Sequence, residues 1–408
     1  MKNINPFENA MQQLAKAAKV IKLSPNILER LKHPDRVLTV SIPVNMDNGK
    51  VRVFQGYRSQ FNNALGPYKG GLRFHQDVDL NEVKALSFWM AIKNAVVNVP
   101  YGGGKGGITV NPKELSKGEL EKLSRGFIQK IYRNIGPHVD VPAPDVNTTP
   151  QIMSWMVDEY SKLVKKKTLA VITGKPVNKG GSHGRTEATG FGGVEVLKQA
   201  AKKLNLEKGA TVAIQGFGNV GLYFALFASE AGFKVVALSD SRSGIYDPKG
   251  LDIKKVSAWK QKNKQLKGFP KAKSVNNEKL LELPVDVLVP AALENQIHKG
   301  NARKIKARLI IEMANGPTTH EADLILEKRK VVVVPDVLSN SGGVATSYLE
   351  WYQNLKGKKW SKTVVLNKLD RFMTTAFNDV YKTSIKHKTS LRSAAFILAI
   401  KRISQAMK

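Results

Sequence analysis

Thr211-Val212-Ala213-Ile214-Gln215-Gly216-Phe217-Gly218-Asn219-Val220-Gly221 is the stretch that decides the fold. Its first five residues read as a short apolar strand, and Gly216 begins a G-x-G-x-x-G that opens a helical pattern over 222–229. Glycine triplets are common in loops, so the context carries the argument. Between a strand and a helix, the first glycine permits the tight turn, the second lets backbone approach a pyrophosphate, and the third lets helix and strand pack closely. The pyrophosphate would sit on the helix N-terminus, where N–H groups and the helix dipole favour an anion. Asp240 ends the next apolar run about twenty residues on, the expected place for a carboxylate on the adenosine ribose. A carboxylate alone favours NAD, but Ser241 and Arg242 follow it and would accommodate the 2′-phosphate of NADP. The reading leans slightly to NADP or to use of both.

Working outward, 234–238, 285–289, 309–313 and 331–334 are further short apolar runs separated by helical patterns. Continuous apolar strands alternating with helices imply a parallel sheet covered on both faces, hence a doubly wound α/β domain. A chain of 408 residues exceeds one ordinary core, so a second domain is expected. The first third supplies it with a mixed α and β pattern. Segments 37–46 and 50–61 are strand-like around the hairpin signal Asp47-Asn48-Gly49. Helix starts are marked at Ser24-Pro25, at 79–82, at 116–119 and at Thr149-Pro150. Phe7, Met11, Leu14 and Ala18 share one face of an amphipathic opening helix.

Four residues in this first third are candidates for chemistry. Gly102-Gly103-Gly104-Lys105-Gly106-Gly107 fails as a phosphate loop, because Gly106 stands where a Ser or Thr is needed. Backbone can pack closely around a lysine flanked by five glycines. Burial and nearby cations make an ammonium more willing to give up its proton, so Lys105 is a candidate for proton exchange. The plain alternative is an exposed loop lysine. Lys93 has Trp89, Met90, Val96 and Val97 three and four residues away, which puts it on the apolar face of a helix over 79–98. An ammonium there needs a counter-charge, such as a bound carboxylate, unless it snorkels to the surface. Lys69, in Pro67-Tyr68-Lys69-Gly70-Gly71, is another glycine-adjacent lysine. Asp145 ends the rigid segment Val141-Pro142-Ala143-Pro144, where it is either a general acid or base or the cap of a turn toward Asn147 and Thr148.

Composition narrows the class. A net charge of +32 and a pI of about 10.0 would ordinarily suggest nucleic acid or an anionic membrane. The lysines, however, are scattered (Lys165 to Lys167, Lys202, Lys203, Lys254, Lys255, Lys358, Lys359), with no arginine-rich arm, so a solvated basic surface is expected. There are no cysteines, which excludes disulfides and thiolate metal sites and agrees with a reducing compartment. No apolar run approaches the ~20 residues of a membrane span. Segment 1–22 contains Glu8 and no continuous apolar stretch, unlike a secretory signal. The expectation is a cytoplasmic protein without membrane contact and without a metal.

The quoted segments resemble a known family. GPYKGGLRFHQDVDLNEVKALSFWMAIKNAVVNVPYGGGKGG (66–107) closely resembles glutamate dehydrogenases of the hexameric class. So do TGKPVNKGGSHGRTEATGFGG (173–193), QGFGNVG (215–221), Pro290-Ala291-Ala292, Ala314-Asn315-Gly316-Pro317 and Asn340-Ser341-Gly342-Gly343-Val344, in the family's order along nearly the whole chain. The resemblance implies two domains whose cleft closes on substrate. Residues 1–180 would bind substrate and mediate oligomerisation, completed by a C-terminal helix over about 375–408, and 181–374 would be the Rossmann-like dinucleotide domain. It implies a homohexamer converting L-glutamate to 2-oxoglutarate and ammonia with NAD or NADP. Lys105 would polarise the substrate and activate water, and Asp145 would pass protons to and from the amino group. Lys93 would pair with the α-carboxylate, and Lys69 with Ser347 would hold the side-chain carboxylate. Thr189 and Asn219 would contact the dinucleotide, with Gly216, Gly218, Gly221, Asp240 and Arg242 completing its site and Asn315 near the nicotinamide. Met90 departs from the pattern, standing where some members carry a glutamine that touches substrate.

Two rivals remain at this point. Branched-chain or aromatic amino-acid dehydrogenases of the same superfamily carry an apolar residue in place of Lys69; a buried cation without a carboxylate partner would reject leucine. A polyanion-binding protein on a dehydrogenase scaffold is the reading the charge alone would favour.

Overall fold

Strands form where apolar and β-branched residues run together, and beyond residue 210 those runs become the inside of one sheet. The computed structural model describes residues 6–408 and divides into two compact units. One comprises Thr186–Gly343 and Leu366–Ala395; the other takes the chain up to Arg185 together with Val344–Val365 and Phe396–Lys408. Sequence places the first boundary after 180 and the return at about 375, whereas the chain rejoins the N-terminal unit already at Val344. No turn marks that point, because the helix Gly342–Lys356 runs unbroken across it. What anchors 344–365 is buried: Trp351 donates to Pro137 O (2.8 Å), and Glu350 receives Gly174 N (2.9 Å).

The N-terminal unit holds a mixed five-stranded sheet. Its strands are β1 (Arg36–Asn45), β2 (Val51–Asn62), β3 (Tyr68–His75), β4 (Gly103–Thr109) and β5 (Asp140–Pro144), in the order β1-β2-β4-β3-β5. The β1–β2 hairpin lies where the Asp47-Asn48-Gly49 signal puts it, and β4 runs antiparallel to β2 and parallel to β3. The glycine run 102–107 is therefore mostly a central strand and not a loop. Glycine is required there for close approach: a Cβ on Gly70 would lie 1.5 Å from Gly104 O on the neighbouring strand. Phe74, Ile108, Phe127, Ile128 and Met153 form the core between this sheet and the helices Lys117–Ile131 and Pro150–Leu163.

Helix starts follow the marked signals with two differences. Ser116 and Glu119 form a complete capping box, and Thr149 caps Pro150–Leu163. Asp79 caps Leu80–Val96 by accepting from Glu82 N (2.8 Å), but the Glu82 carboxylate turns to Arg73 instead of closing the box. Ser24 precedes the helix Pro25–Leu31 without a side-chain cap. The opening helix is Pro6–Val20, and the part of the N-terminal reading that concerns residues 1–5 lies outside the described residues.

In the other unit, β6 (Thr211–Gln215), β7 (Lys234–Ser239), β8 (Gly244–Tyr246), β9 (Lys273–Val275), β10 (Val287–Pro290), β11 (Leu309–Ile311) and β12 (Val332–Val334) form one sheet. Its order is β12-β11-β10-β6-β7-β8-β9. The five strands from β12 to β7 are parallel, and β8 and β9 add an antiparallel edge. All five expected strands are present. The three-residue β8 and β9 are too short to announce themselves. The strand sequence proceeds outward on both sides of β6, so β6 is the topological switch point, where ligands bind beyond the strand C-termini.

Candidate active site

Two groups of residues, one in each unit, meet the requirements of a site. In the N-terminal unit, β4 carries Lys105 and the end of β5 delivers Asp145. Lys105 is buried, and its Nζ forms an ion pair with Asp145 Oδ2. Asp145 Oδ1 accepts from Arg73 Nε on β3 (3.1 Å) and from Val146 N (2.7 Å). Burial raises the Asp145 carboxyl, but Lys105 and Arg73 outweigh it and hold the group well below the ordinary aspartate value. The turn is fixed by other atoms: Thr148 N donates to Asp145 O (3.2 Å), and Asp145 N to Thr148 Oγ1 (2.7 Å). The side chain divides its oxygens: Oδ1 takes Val146 N and Arg73, and Oδ2 is directed at Lys105.

Lys69 lies on β3, fully enclosed. Its Nζ donates to Thr173 Oγ1 (2.8 Å), Val141 O (3.1 Å) and, weakly, Pro142 O (3.5 Å), and no carboxylate is among these partners. Burial, then the nearby Arg58, pushes its ammonium well below the ordinary lysine value, against the opposing charges of Glu350 and Asp140. Arg58 and Asp140 are themselves a buried pair (2.9 Å, Nε to Oδ2), and Arg58 Nη1 donates to Gly70 O (3.2 Å). Four further buried polar atoms of this unit have no hydrogen-bond partner among the described residues: Asn94 Oδ1, the Tyr101 hydroxyl, Arg185 Nε and Thr346 Oγ1. Lys69 Nζ stands 5.8 Å from the Tyr101 ring centre, and Thr346 adjoins the buried Ser347 on Gly342–Lys356. Buried polar atoms without partners are expensive, and two of these residues, Tyr101 and Arg185, are neighbours of Lys69, which fits a polar ligand there. Lys93 is half-buried on Leu80–Val96, and Met90 of the same helix reaches toward Gly70.

The second group sits at the switch point. Gly216 has φ +99°, a conformation that favours glycine, and a Cβ on Gly221 would lie 1.9 Å from Gly216 O. Gly218 is exposed, with open space where a Cβ would go, at the start of the helix Asn219–Glu230. These are the three glycine roles read from the motif, and the open position is the one a pyrophosphate would approach. Ala291 N, past β10, donates to Gln215 O (2.8 Å) and closes the other side of the crevice. Asn219 Nδ2 donates to Thr186 O (2.8 Å), and Thr189 lies on the adjoining helix Ala188–Lys203. Asn315 Oδ1 accepts from Asn340 Nδ2 (2.9 Å).

Asp240 follows β7 as expected, and backbone donors orient its carboxylate. Its carboxylate accepts Arg242 N (2.9 Å), Ser243 N (3.0 Å) and Leu266 N (2.8 Å). Burial raises it, and these N–H groups more than offset that, lowering its pKa. Arg242 is exposed. Sequence reasoning missed Arg58, Arg73, Thr173, Arg185 and Glu350; Arg58 lies among polar residues in β2, Gln55-Gly56-Tyr57-Arg58-Ser59-Gln60, and no local pattern sets it apart.

Comparisons with known proteins identify the family. The family described as Glutamate/Leucine/Phenylalanine/Valine dehydrogenase matches residues 180–408, and its dimerisation domain matches residues 34–162. The glutamate dehydrogenase of Thermotoga maritima is 52% identical, covering 98% of this chain and 97% of its own. The NAD-specific glutamate dehydrogenase of Clostridioides difficile is 49% identical (100% and 98%), and the NADP-specific enzyme of Synechocystis 46% (98% and 96%). Among solved structures, the hetero-hexameric glutamate dehydrogenase of Thermus thermophilus superposes with a TM-score of 0.92 at 38% identity, over 99% of this chain and 97% of that one. Both units are matched, and the chain belongs to the Glu/Leu/Phe/Val dehydrogenase family.

Proposed function

We propose that this chain catalyses the reversible oxidative deamination of L-glutamate, with NAD or NADP as the oxidant: glutamate, water and the oxidised cofactor give 2-oxoglutarate, ammonium, the reduced cofactor and a proton. The observation that carries the substrate is Lys69, a buried ammonium whose hydrogen-bond partners among the described residues are neutral oxygens. A side-chain carboxylate supplies the missing charge; an apolar side chain leaves it unpaired. Ser347 is assigned to the same carboxylate and Lys93 to the α-carboxylate. Lys105 polarises the reacting carbon's substituent and activates water, while Asp145, its ion-pair partner, exchanges protons with the amino group. Bound nicotinamide supplies the hydride acceptor. Thr189, Asn219, Asn315 and the loop Gly216-Gly218-Gly221 are assigned to cofactor binding.

Initial rates with glutamate and with leucine, each with NAD and NADP separately, test the reading. Glutamate turned over with at least one cofactor supports it; turnover of leucine alone overturns it. Lys69→Leu combined with Ser347→Val is expected to shift preference from glutamate toward apolar amino acids, and undiminished glutamate activity would mean the distal carboxylate binds elsewhere.

The cofactor lean rests on Arg242. A charge-assisted contact to the 2′-phosphate is worth about 1.5–3 kcal/mol, so Arg242→Ala is expected to raise the Michaelis constant for NADP about tenfold or more and barely change that for NAD. Equal small effects on both would leave Asp240 as the discriminator and tilt preference to NAD. The reading includes a homohexamer, for which the six-subunit assembly of the Thermus thermophilus enzyme is the support, and a cytoplasmic location. No helix among the described residues is long and apolar enough to cross a membrane. The paired lysines at 165–167, 202–203, 254–255 and 358–359 are all exposed, which suits a solvated surface.

A further inference from the structure

Glu350 is wholly buried yet carries a carboxylate, a costly arrangement unless donors surround it. They do. Gly174 N (2.9 Å) donates to Oε2, and Lys175 Nζ (2.7 Å) and Lys175 N (3.3 Å) donate to Oε1. Gly174, at φ +83°, immediately follows Thr173, whose hydroxyl receives Lys69 Nζ. On the other side, Glu350 stands one helical turn after Ser347, since residues three apart share a face. The same helix holds the following loop at two more points, Gln353 Nε2 to Ser182 Oγ (3.1 Å) and Asn354 Nδ2 to Gly180 O (2.8 Å). Those two bonds account for the loop's general attachment. The three donors on Glu350 converge beside Thr173, where attachment decides where a hydroxyl points.

We propose that Glu350 is a positioning residue for substrate selection, clamping the segment 173–175 to the helix of Ser347 so that Lys69, Thr173 and Ser347 converge on the substrate's distal carboxylate. The inference rests on the glutamate reading above. Glu350 has a second effect through charge. Lys69 is faced by Arg58 from β2, Asp140 from β5, Arg185 and Glu350. Arg58 and Arg185 favour the neutral amine, and Asp140 and Glu350 favour the ammonium that a carboxylate needs.

The test compares glutamate with norvaline, which keeps the α-amino acid and lacks the distal carboxylate. Glu350→Gln is expected to lower kcat/KM for glutamate by about tenfold or more, chiefly through KM, while norvaline changes by less than about threefold. The alkaline limb of the glutamate kcat/KM profile should move to lower pH, because Lys69 loses a charge that holds its proton. Glu350→Asp should recover part of both effects. Glu350→Leu with Lys175→Met, an apolar replacement of the buried pair, serves if the single variant does not fold, and should show the same loss of glutamate over norvaline. Equal losses on both substrates, or an unchanged ratio and pH profile, would overturn the proposal. A parent enzyme inactive on glutamate would overturn the function itself, which the parent assay reveals before any variant is made.

Discussion

Lys105→Ala is expected to cut turnover by about a thousandfold or more while leaving the fold and dinucleotide binding nearly intact. The amine is the only part of the side chain in a polar contact, and that contact is Asp145. After truncation Asp145 keeps Arg73 and the Val146 N–H, so no buried carboxylate is stranded. The glycine loop that is assigned to the cofactor belongs to the other unit. Reduced-nicotinamide absorbance gives the rate, cofactor titration the affinity, and thermal unfolding the fold. Turnover within about tenfold of the parent would remove Lys105 from the chemistry.

Asp145→Asn is expected to cost turnover about a hundredfold to ten-thousandfold, the usual range for one general acid or base. The amide preserves shape and can still accept from Val146 N, but it cannot exchange a proton. It also leaves Lys105 and Arg73 without the carboxylate they share. The parent carboxyl is held well below its ordinary value by those two cations, so Asp145 is ionised throughout the neutral range, as the proposed proton-accepting role requires. The same depression stabilises the fold. That contribution is complete above the ordinary aspartate pKa of about 3.9 and is lost as pH falls toward the depressed folded value. The variant should therefore unfold in acid with a shallower pH dependence than the parent. A variant with the parent's turnover and pH–rate profile would return Asp145 to a structural role.

How much of this was legible in the sequence differs between the units. The parallel sheet was readable because a strand covered on both faces is apolar throughout, and β6, β7, β10, β11 and β12 are such runs. The crevice was readable because glycine roles are local: turn, approach and packing fall within six residues. The N-terminal sheet was harder. No strand was read at Lys105, since six residues with five glycines carry no strand propensity; what makes them a strand is the tight fit of β3 and the helix Leu80–Val96. Lys69, Lys93, Lys105 and Asp145 stood out as candidates, but the partners that set their state did not. Asp140 lies 82 positions from Arg58, and Glu350 lies 175 from Lys175. Contacts so remote leave no spacing to read. Asp240 was legible by position, at the end of β7, but the three backbone donors that hold its carboxylate, one of them 26 positions away, were not.

The glycine contact between β3 and β4 limits how this protein could be re-engineered. At Gly70 even one methyl group would collide with Gly104 O, and at Gly103 it would lie 2.6 Å from the Ala91 methyl and 2.4 Å from Ser87 O. At both positions the nearest obstacle is a backbone carbonyl, which no exchange of a neighbouring side chain removes. A variant library aimed at new substrates gains nothing by sampling those positions, where nearly every member would misfold. Diversity belongs at Lys69, Met90 and Ser347, whose side chains can change size and charge without asking two strands to part.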